Sequence, residues 1–490
     1  MRRATAVMAV AALAVTACSA AEPQLRWGPC EPYARGSLEK QLYADPSFDC
    51  ARLTVPLDYA RPSGRTVTLG LLRHRATDTA HRVGSLVLDP GGPGGSGMTA
   101  AATLVKPAGQ LAARFDFVGF DPRGVHASEP RITCRSDAEQ DADRASDAES
   151  DRSPAGVAKQ LAEARAYGAS CAKNTGADVL AHIGTREVVR DVDALRSALG
   201  EEKLTYLGYS YGTQIGSSYA EAYPDKVRAM ILDGVIDPAQ DLPQTLVAQT
   251  AGFQDAFTQF ARWCAKQPSC PLTGDATTAF QRLARPLVIS KAPALPGRTL
   301  SFEDAVTATN AALYSRDNWP VLLRGLQELT HGQGSTLLDL ADNYYERDPD
   351  GHYSGAIDAY FAVRCVDYDR VTDRATIDSA HRQMLTNAPF LDGGSPDTSE
   401  LDVCSTWPVP PTSRTHRLSA PEPSKVLVVS TTHDPATPYR QGAAVAKALR
   451  APLLTFDGTQ HAAFLRGNAC VDRIAAEYLV TTVARDSRCG

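Results

Sequence analysis

The sequence has no long run of like charge, no Cys-x-x-Cys pair, no Gly-Lys-Ser/Thr and no internal repeat. Each absence removes a class of function. Net charge is -6 at pH 7 and is spread along the chain. Neither nucleic acid nor an anionic membrane surface is offered a basic patch. Without Cys-x-x-Cys spacing, the eleven cysteines do not read as a zinc site. Without Gly-Lys-Ser/Thr, the glycine-rich stretch near residue 90 is not a phosphate-binding P-loop. Repeats and long low-complexity segments are also missing, which excludes solenoids and arrays. No apolar run is long enough to span a bilayer as a mature helix; Ala4 to Val15 is too short. What remains is a chain of 490 residues, 43% hydrophobic. It can bury a large core and has room for more than one structural unit.

Arg2 and Arg3 stand before that short apolar run, the arrangement of an export signal. Val15-Thr16-Ala17-Cys18 then reads as a lipobox, which makes residues 1–18 a leader and Cys18 the lipidated first residue. Cleavage a residue or two later is the alternative, because Ala17-Cys18-Ser19 also offers small residues. On the lipobox reading the protein touches a membrane only through the lipid at Cys18. Cysteine usage agrees with export. Cys30, Cys50, Cys134, Cys171, Cys264, Cys270, Cys365, Cys404, Cys470 and Cys489 form an even set, as disulfides outside the cytoplasm require. Pairing nearest neighbours in order gives five local bridges, although spacing alone fixes no connectivity.

Lys203 to Leu207 leads into Gly208-Tyr209-Ser210-Tyr211-Gly212, where Gly-x-Ser-x-Gly occurs once in the chain. A short buried strand precedes it and a helix over Thr213 to Tyr223 follows. Strand, tight turn and helix make this pattern a nucleophile elbow. The glycines are needed because side chains there would strike the neighbouring strand and helix. The bland alternative is an ordinary glycine-rich turn. Earlier, Ser85-Leu86-Val87-Leu88 reads as a buried strand. It enters Asp89-Pro90-Gly91-Gly92-Pro93-Gly94-Gly95-Ser96-Gly97. Such a loop brings backbone amides close to a reacting atom, as half of an oxyanion hole does. Phe117 to Phe120 is a further strand, and Asp121 and Arg123 after it read as braces of their loop. The Asp/Ser/Ala-rich residues 136–155 read as an exposed insertion. Thr185 is expected to cap a helix with apolar positions Val188, Val192, Leu195 and Leu199, closed by Gly200.

The pattern changes after Asp237, where helical segments and prolines replace buried strands. It returns to strands at Lys425 to Ser430. The predicted architecture is therefore α/β, with a mostly parallel sheet interrupted by a mainly helical lid. The boundaries are 19–236 for the first part of the core, 237–423 for the lid and 424–490 for the rest. The lid's aromatic residues Trp263, Trp319, Tyr344, Tyr345, Tyr360, Phe361 and Trp407 are candidates for a pocket lining, though most of them read as lid core. Ser210, Asp434 and His461 each fall just past a strand, where open parallel sheets carry their functional loops. Their order, Ser then Asp then His, is that of hydrolases of this topology. A serine hydroxyl needs a neutral imidazole to take its proton and a carboxylate to orient that imidazole. His126, His433 and Asp457 read as structural.

Together, residues 90–97, Asp121-Pro122-Arg123-Gly124, the elbow and Asp434-Pro435-Ala436-Thr437-Pro438 resemble the secreted tripeptidyl aminopeptidases. These are α/β-hydrolase serine peptidases related to prolyl iminopeptidases. The resemblance covers nearly all of the mature chain. It implies Ser210 as nucleophile, Asp434 as orienting acid, His461 as base, and the amides of Gly92 and Tyr211 as oxyanion donors. The implied substrates are peptides with a free N-terminus, and no metal or organic cofactor is implied. Two departures stand out: His126 and Ala462 occupy positions where the family often has glycine. An exopeptidase must also receive the substrate's ammonium group. Asp367, held beside Cys365, is the candidate for that role, against the alternative that it pairs with Arg364 or another base. A carboxylesterase or lipase with the same triad is the rival enzyme. A catalytically silent surface lipoprotein is the rival from another class.

Overall fold

The computed structural model describes residues 25–146, 153–394, 402–419 and 424–490. The leader and Cys18 lie outside them. The main sheet is built from β1 (Phe48–Pro56), β2 (Thr66–His74), β3 (Gly84–Asp89), β4 (Phe115–Phe120), β5 (Leu204–Tyr209) and β6 (Val227–Asp233). A small hairpin of β7 (Ala292–Pro293) and β8 (Thr299–Leu300) stands apart. The sheet then continues with β9 (Val426–Thr431), β10 (Leu453–Phe456) and β11 (Ser487–Cys489). Its order is β1-β2-β4-β3-β5-β6-β9-β10-β11. The first two pairings are antiparallel and the rest are parallel.

The central strands are apolar on both faces because helices cover both. Val87, Tyr206, Met230 and Val428 point to one side, against Val192, Ile215 and Val445. Their neighbours Leu88, Leu207, Ile231 and Leu427 point to the other, against Met98, Leu104 and Val471. This period of two divides the sequence of each strand between two cores.

Between β6 and β9 the chain leaves the sheet. The helices Leu242–Cys264, Phe302–Leu313, Trp319–Thr330 and Ser335–Tyr344 share a core of their own, with Phe257 stacked on Phe390 at 4.6 Å. The insertion is not one unit, however. Its helix Ala356–Asp367 buries Ala359, Ala362 and Val366 in the core of the sheet, together with Cys404 and Trp407.

Two local expectations need correction. Thr185 does not cap its helix: Gly184 occupies the cap position, and Thr185 is the first helical residue. Its hydroxyl is used elsewhere. Residues 136–155 are not simply an exposed insertion, because Asp137–Arg144 is helical and the Arg144 side chain is only 7% exposed. The Arg144 guanidinium donates to Asp304 and Asp342 of the insertion at 3.0 and 2.7 Å. A mixed-charge composition cannot distinguish a solvated loop from a strut whose one arginine meets two buried acids.

All ten cysteines of the even set are bridged: Cys30–Cys50, Cys134–Cys171, Cys264–Cys270, Cys365–Cys404 and Cys470–Cys489. The nearest-neighbour pairing is the observed one. Among the described residues no helix is long and apolar enough to cross a membrane.

Candidate active site

Ser210 stands between β5 and the helix Tyr211–Ala222, with φ 53° and ψ −122°. A non-glycine residue at positive φ is strained, and the surrounding contacts have to impose it. Here they do. A Cβ at Gly208 would lie 2.4 Å from the carbonyl oxygen of Gly212, and one at Gly212 would lie 2.6 Å from that of Asp89. The Ser210 N–H donates to the carbonyl of Asp233 in β6 at 3.0 Å.

Asp434 follows β9 and is 2% exposed. Its Oδ1 accepts the backbone N–H groups of Ala436 and Thr437 at 2.9 and 2.8 Å. His461 follows β10. Its Nδ1 lies 2.9 and 3.1 Å from the two oxygens of Asp434. A proton on Nδ1, donated to that carboxylate, leaves Nε2 as an acceptor. Nε2 is buried without a hydrogen-bond partner among the described residues. Two features that sequence reasoning missed hold this histidine. Its backbone N–H donates to the carbonyl of Tyr314 at 2.9 Å, and the Tyr314 ring meets the imidazole edge-on at 5.1 Å. Asp233 is the second. Its Oδ2 accepts the N–H groups of Ala463 and Phe464, just past His461, at 2.8 and 2.7 Å. One residue therefore anchors both the serine turn, through its carbonyl, and the histidine loop, through its side chain. Burial pushes the Asp233 carboxyl up to about 6, the two amide bonds opposing. The available signal is an acid ending a strand that is apolar from Ala229 to Leu232.

The loop after β3 presses on the serine turn. Gly91 has φ 89°, and a Cβ there would lie 2.4 Å from the carbonyl of Tyr209 and 2.7 Å from the amide nitrogen of Tyr211. Gly92, at φ 111°, faces the same cavity as Ser210 and Tyr211. Tyr211 opens its helix, so its N–H has no partner within that helix.

Asp367 requires a correction. It is buried, and its two oxygens already accept from the N–H and hydroxyl of Thr185, the hydroxyl of Ser413 and the hydroxyl of Tyr211. Burial raises its carboxyl to about 6, against the hydrogen bonds from Thr185, Ser413 and Tyr211. It ties three helices together and has no acceptor to spare for an ammonium. It does not pair with Arg364, which donates to Asp402. Sequence could not show this, because the Thr185 donors lie 182 residues away. The remaining side candidates are structural. His433 meets Asp255, Asp457 meets Arg488, and buried His126 lies between Glu39 and Glu346. Its imidazole is held well above the usual range: burial alone would lower it, and the two glutamates outweigh that. Both departures from the family's glycines fall at positive φ, 40° at His126 and 64° at Ala462.

Ser210, Gly92, Tyr211 and His461 open into one cavity of about 1000 Å³. Tyr314, Tyr344 and Tyr360 of the insertion form its other side. The pattern for the alpha/beta hydrolase fold matches residues 84–467. The chain belongs to the alpha/beta hydrolase family. Among curated relatives, the hydrolase is 45% identical to serine protease Hip1 of Mycobacterium tuberculosis, over 96% of this chain and 92% of that one. It is 43% identical to carboxylesterase B of the same organism, over 94% and 88%. Tripeptidyl aminopeptidase of Streptomyces lividans is 30% identical, over 97% and 88%. The hydrolase is thus a serine hydrolase of the alpha/beta fold.

Proposed function

We propose that this hydrolase is an exported serine exopeptidase that releases short peptides, tripeptides among them, from free N-termini through an acyl-enzyme. The observation that carries the chemistry is the hydrogen-bonded pair of Asp434 and His461, with Nε2 left unpartnered among the described residues and His461 lining the same cavity as the strained Ser210. In this reading Ser210 Oγ attacks the scissile carbonyl while His461 Nε2 takes its proton. Asp434 fixes the tautomer and stabilises the imidazolium. The N–H groups of Gly92 and Tyr211 receive the developing oxyanion. His461 then returns the proton to the leaving amine, and water repeats the sequence on the acyl-enzyme.

Peptide substrates are supported by the relatives named as a serine protease and a tripeptidyl aminopeptidase. With Asp367 committed elsewhere, Asp317 and Glu346 are the other carboxylates on the cavity for a substrate ammonium. A carboxylesterase is the second reading, favoured by the relative of that name. Both are tested by kcat/KM for one tripeptide amide with its amine free and acetylated, and for a small neutral ester. The exopeptidase reading expects cleavage of the free peptide and near loss on acetylation. Equal rates on both peptides would discard it, and ester hydrolysis without amide hydrolysis would establish the esterase.

Export rests on five disulfides, which persist in oxidising compartments, and on the leader with Cys18. Metabolic labelling with a palmitate analogue should tag the protein, and Cys18→Ala should remove the tag. A labelled Cys18→Ala protein would overturn the anchor.

A further inference from the structure

The glycine-rich loop rests on a carboxyl group that the acyl-transfer steps do not use. Asp89 ends β3 and is 1% exposed. Its Oδ1 accepts the Gly91 N–H at 2.9 Å. Its Oδ2 is buried without a hydrogen-bond partner among the described residues. The same residue supports the serine turn from below. Asp89 pairs with Gly208 across β3 and β5, and a Cβ at Gly212 would lie 2.8 Å from its Oδ1. One side chain therefore touches both the loop that carries Gly92 and the turn that carries Tyr211.

Charge at this position has a definite consequence. A carboxylate behind the amides would oppose the oxyanion forming in front of them, in a site that water screens poorly. A neutral carboxyl keeps the acceptor for Gly91 and removes the opposing charge. The ionisable groups that bear on Asp89 supply no compensating cation. They are Asp121, which adds a like charge, and the phenols of Tyr206 and Tyr211. An uncompensated buried carboxylate is costly, so the proton is retained to higher pH.

We propose that Asp89 is a positioning residue for the oxyanion donors, that it works as a neutral carboxyl group, and that its ionisation ends activity on the alkaline side. Burial, reinforced by Asp121 and opposed by the Gly91 hydrogen bond, pushes the group up to about 7, which puts that limb near neutrality. The inference rests on reading Gly92 and Tyr211 as the oxyanion donors. It assigns the alkaline limb of the pH profile to Asp89, which must keep its proton for activity to last.

The test is the pH profile of kcat from pH 5 to pH 9.5 on a small neutral ester, so that no substrate amine titrates. Wild type should fall about tenfold or more above neutrality. Asp89→Asn keeps an acceptor for Gly91 and cannot ionise; it should retain the acid limb and lose the alkaline fall. Asp89→Ala lacks the acceptor and should lower kcat about tenfold at every pH, with little change in KM. Asp89→Ser, neutral with an acceptor oxygen, replaces the asparagine variant if that one does not fold. A wild type with no fall up to pH 9.5 overturns the proposal, and so does the same fall in a folded neutral variant. Ser210→Ala is measured alongside. Its inactivity together with an unchanged Asp89→Asn profile rejects only the role of Asp89, whereas activity in Ser210→Ala rejects the site reading itself.

Discussion

On one side of the cavity, Ser210, Gly92 and His461 hang from the ends of sheet strands. On the other, Tyr314, Tyr344 and Tyr360 stand on helices or helix ends of the insertion. The first wall is fixed by bonds that cross between strands, as when Asp233 holds both the Ser210 turn and the loop after His461. In the second, Tyr314 ends a helix of a separate hydrophobic core, whereas Tyr360 stands on the helix Ala356–Asp367, whose other side packs into the core of the sheet. A reaction needs groups held within fractions of an ångström, which a shared sheet supplies. Selection among substrates needs a surface that can vary without disturbing those groups. Two walls with two cores satisfy both demands.

The comparison breaks first at the nucleophile. Ser210→Ala and His461→Ala should each lower kcat by about 10⁴ to 10⁶ while the thermal unfolding midpoint stays close to wild type. Near-normal turnover in purified Ser210→Ala would remove the sheet wall from the chemistry. Next in size is Gly91→Ala, whose new Cβ has no room beside the carbonyl of Tyr209. The loop must shift, and losing an oxyanion donor costs about 10² to 10³ in kcat. A KM effect without a kcat effect would place the loop in substrate binding instead.

Protons test the sheet wall without changing its shape. The carboxyl of Asp233 is raised to about 6, from about 3.9 in an unfolded chain. Between those values the folded protein binds more protons than the unfolded one, so this site's contribution falls as pH rises and is constant above about 6. Relative to Asp233→Asn, wild type should lose about 2 kcal/mol of stability between pH 4.5 and pH 7. Urea unfolding of the two proteins at both pH values measures the difference, and the opposite trend would contradict a raised Asp233.

The seam between the walls is the next place to press. A Cβ at Gly252, in the first long helix of the insertion, would lie 2.6 Å from the carbonyl of Pro435 and 2.9 Å from that of Asp434. Gly252→Ala should destabilise by about 1 to 3 kcal/mol and lower kcat by displacing the acid. Loss of stability with full kcat would mean that the seam yields on the insertion side. The smallest effect is expected at Ala462, whose φ of 64° suits glycine better than alanine. Ala462→Gly should change stability by less than about 1 kcal/mol, because relief of strain is partly offset by the freer unfolded chain. Thermal melts of the two proteins give the sign.

The same division explains what could be read in advance. β3, β5, β6 and β9 are legible because strands between two helix layers are apolar over most of their length. Ser210, Asp434 and His461 are legible because each must follow such a strand. Tyr314 is not, since a main-chain carbonyl leaves no pattern in local sequence, and Asp233 shows only as an acid at the end of a strand, without its distant partners. Asp367 misled for the same reason: its partners, Thr185 and Ser413, are distant in the chain and become neighbours only when the helix of Thr185 and the segment of Ser413 meet the helix Ala356–Asp367. The helix Ala356–Asp367 and residues 403–409 fall within the lid boundaries, yet many of their apolar side chains complete the core of the sheet.

The five disulfides join cysteines separated by 20, 37, 6, 39 and 19 residues, and no bridge spans another. For a chain threaded N-terminus first into an oxidising space, that order has a consequence for assembly. Each pair is complete before the first cysteine of the next arrives. Among these ten cysteines, with Cys18 set aside, no more than two thiols need be free at any stage, so each correct bridge can close before another of the ten is present. The connectivity can be written by the order of arrival alone, without later reshuffling by an isomerase.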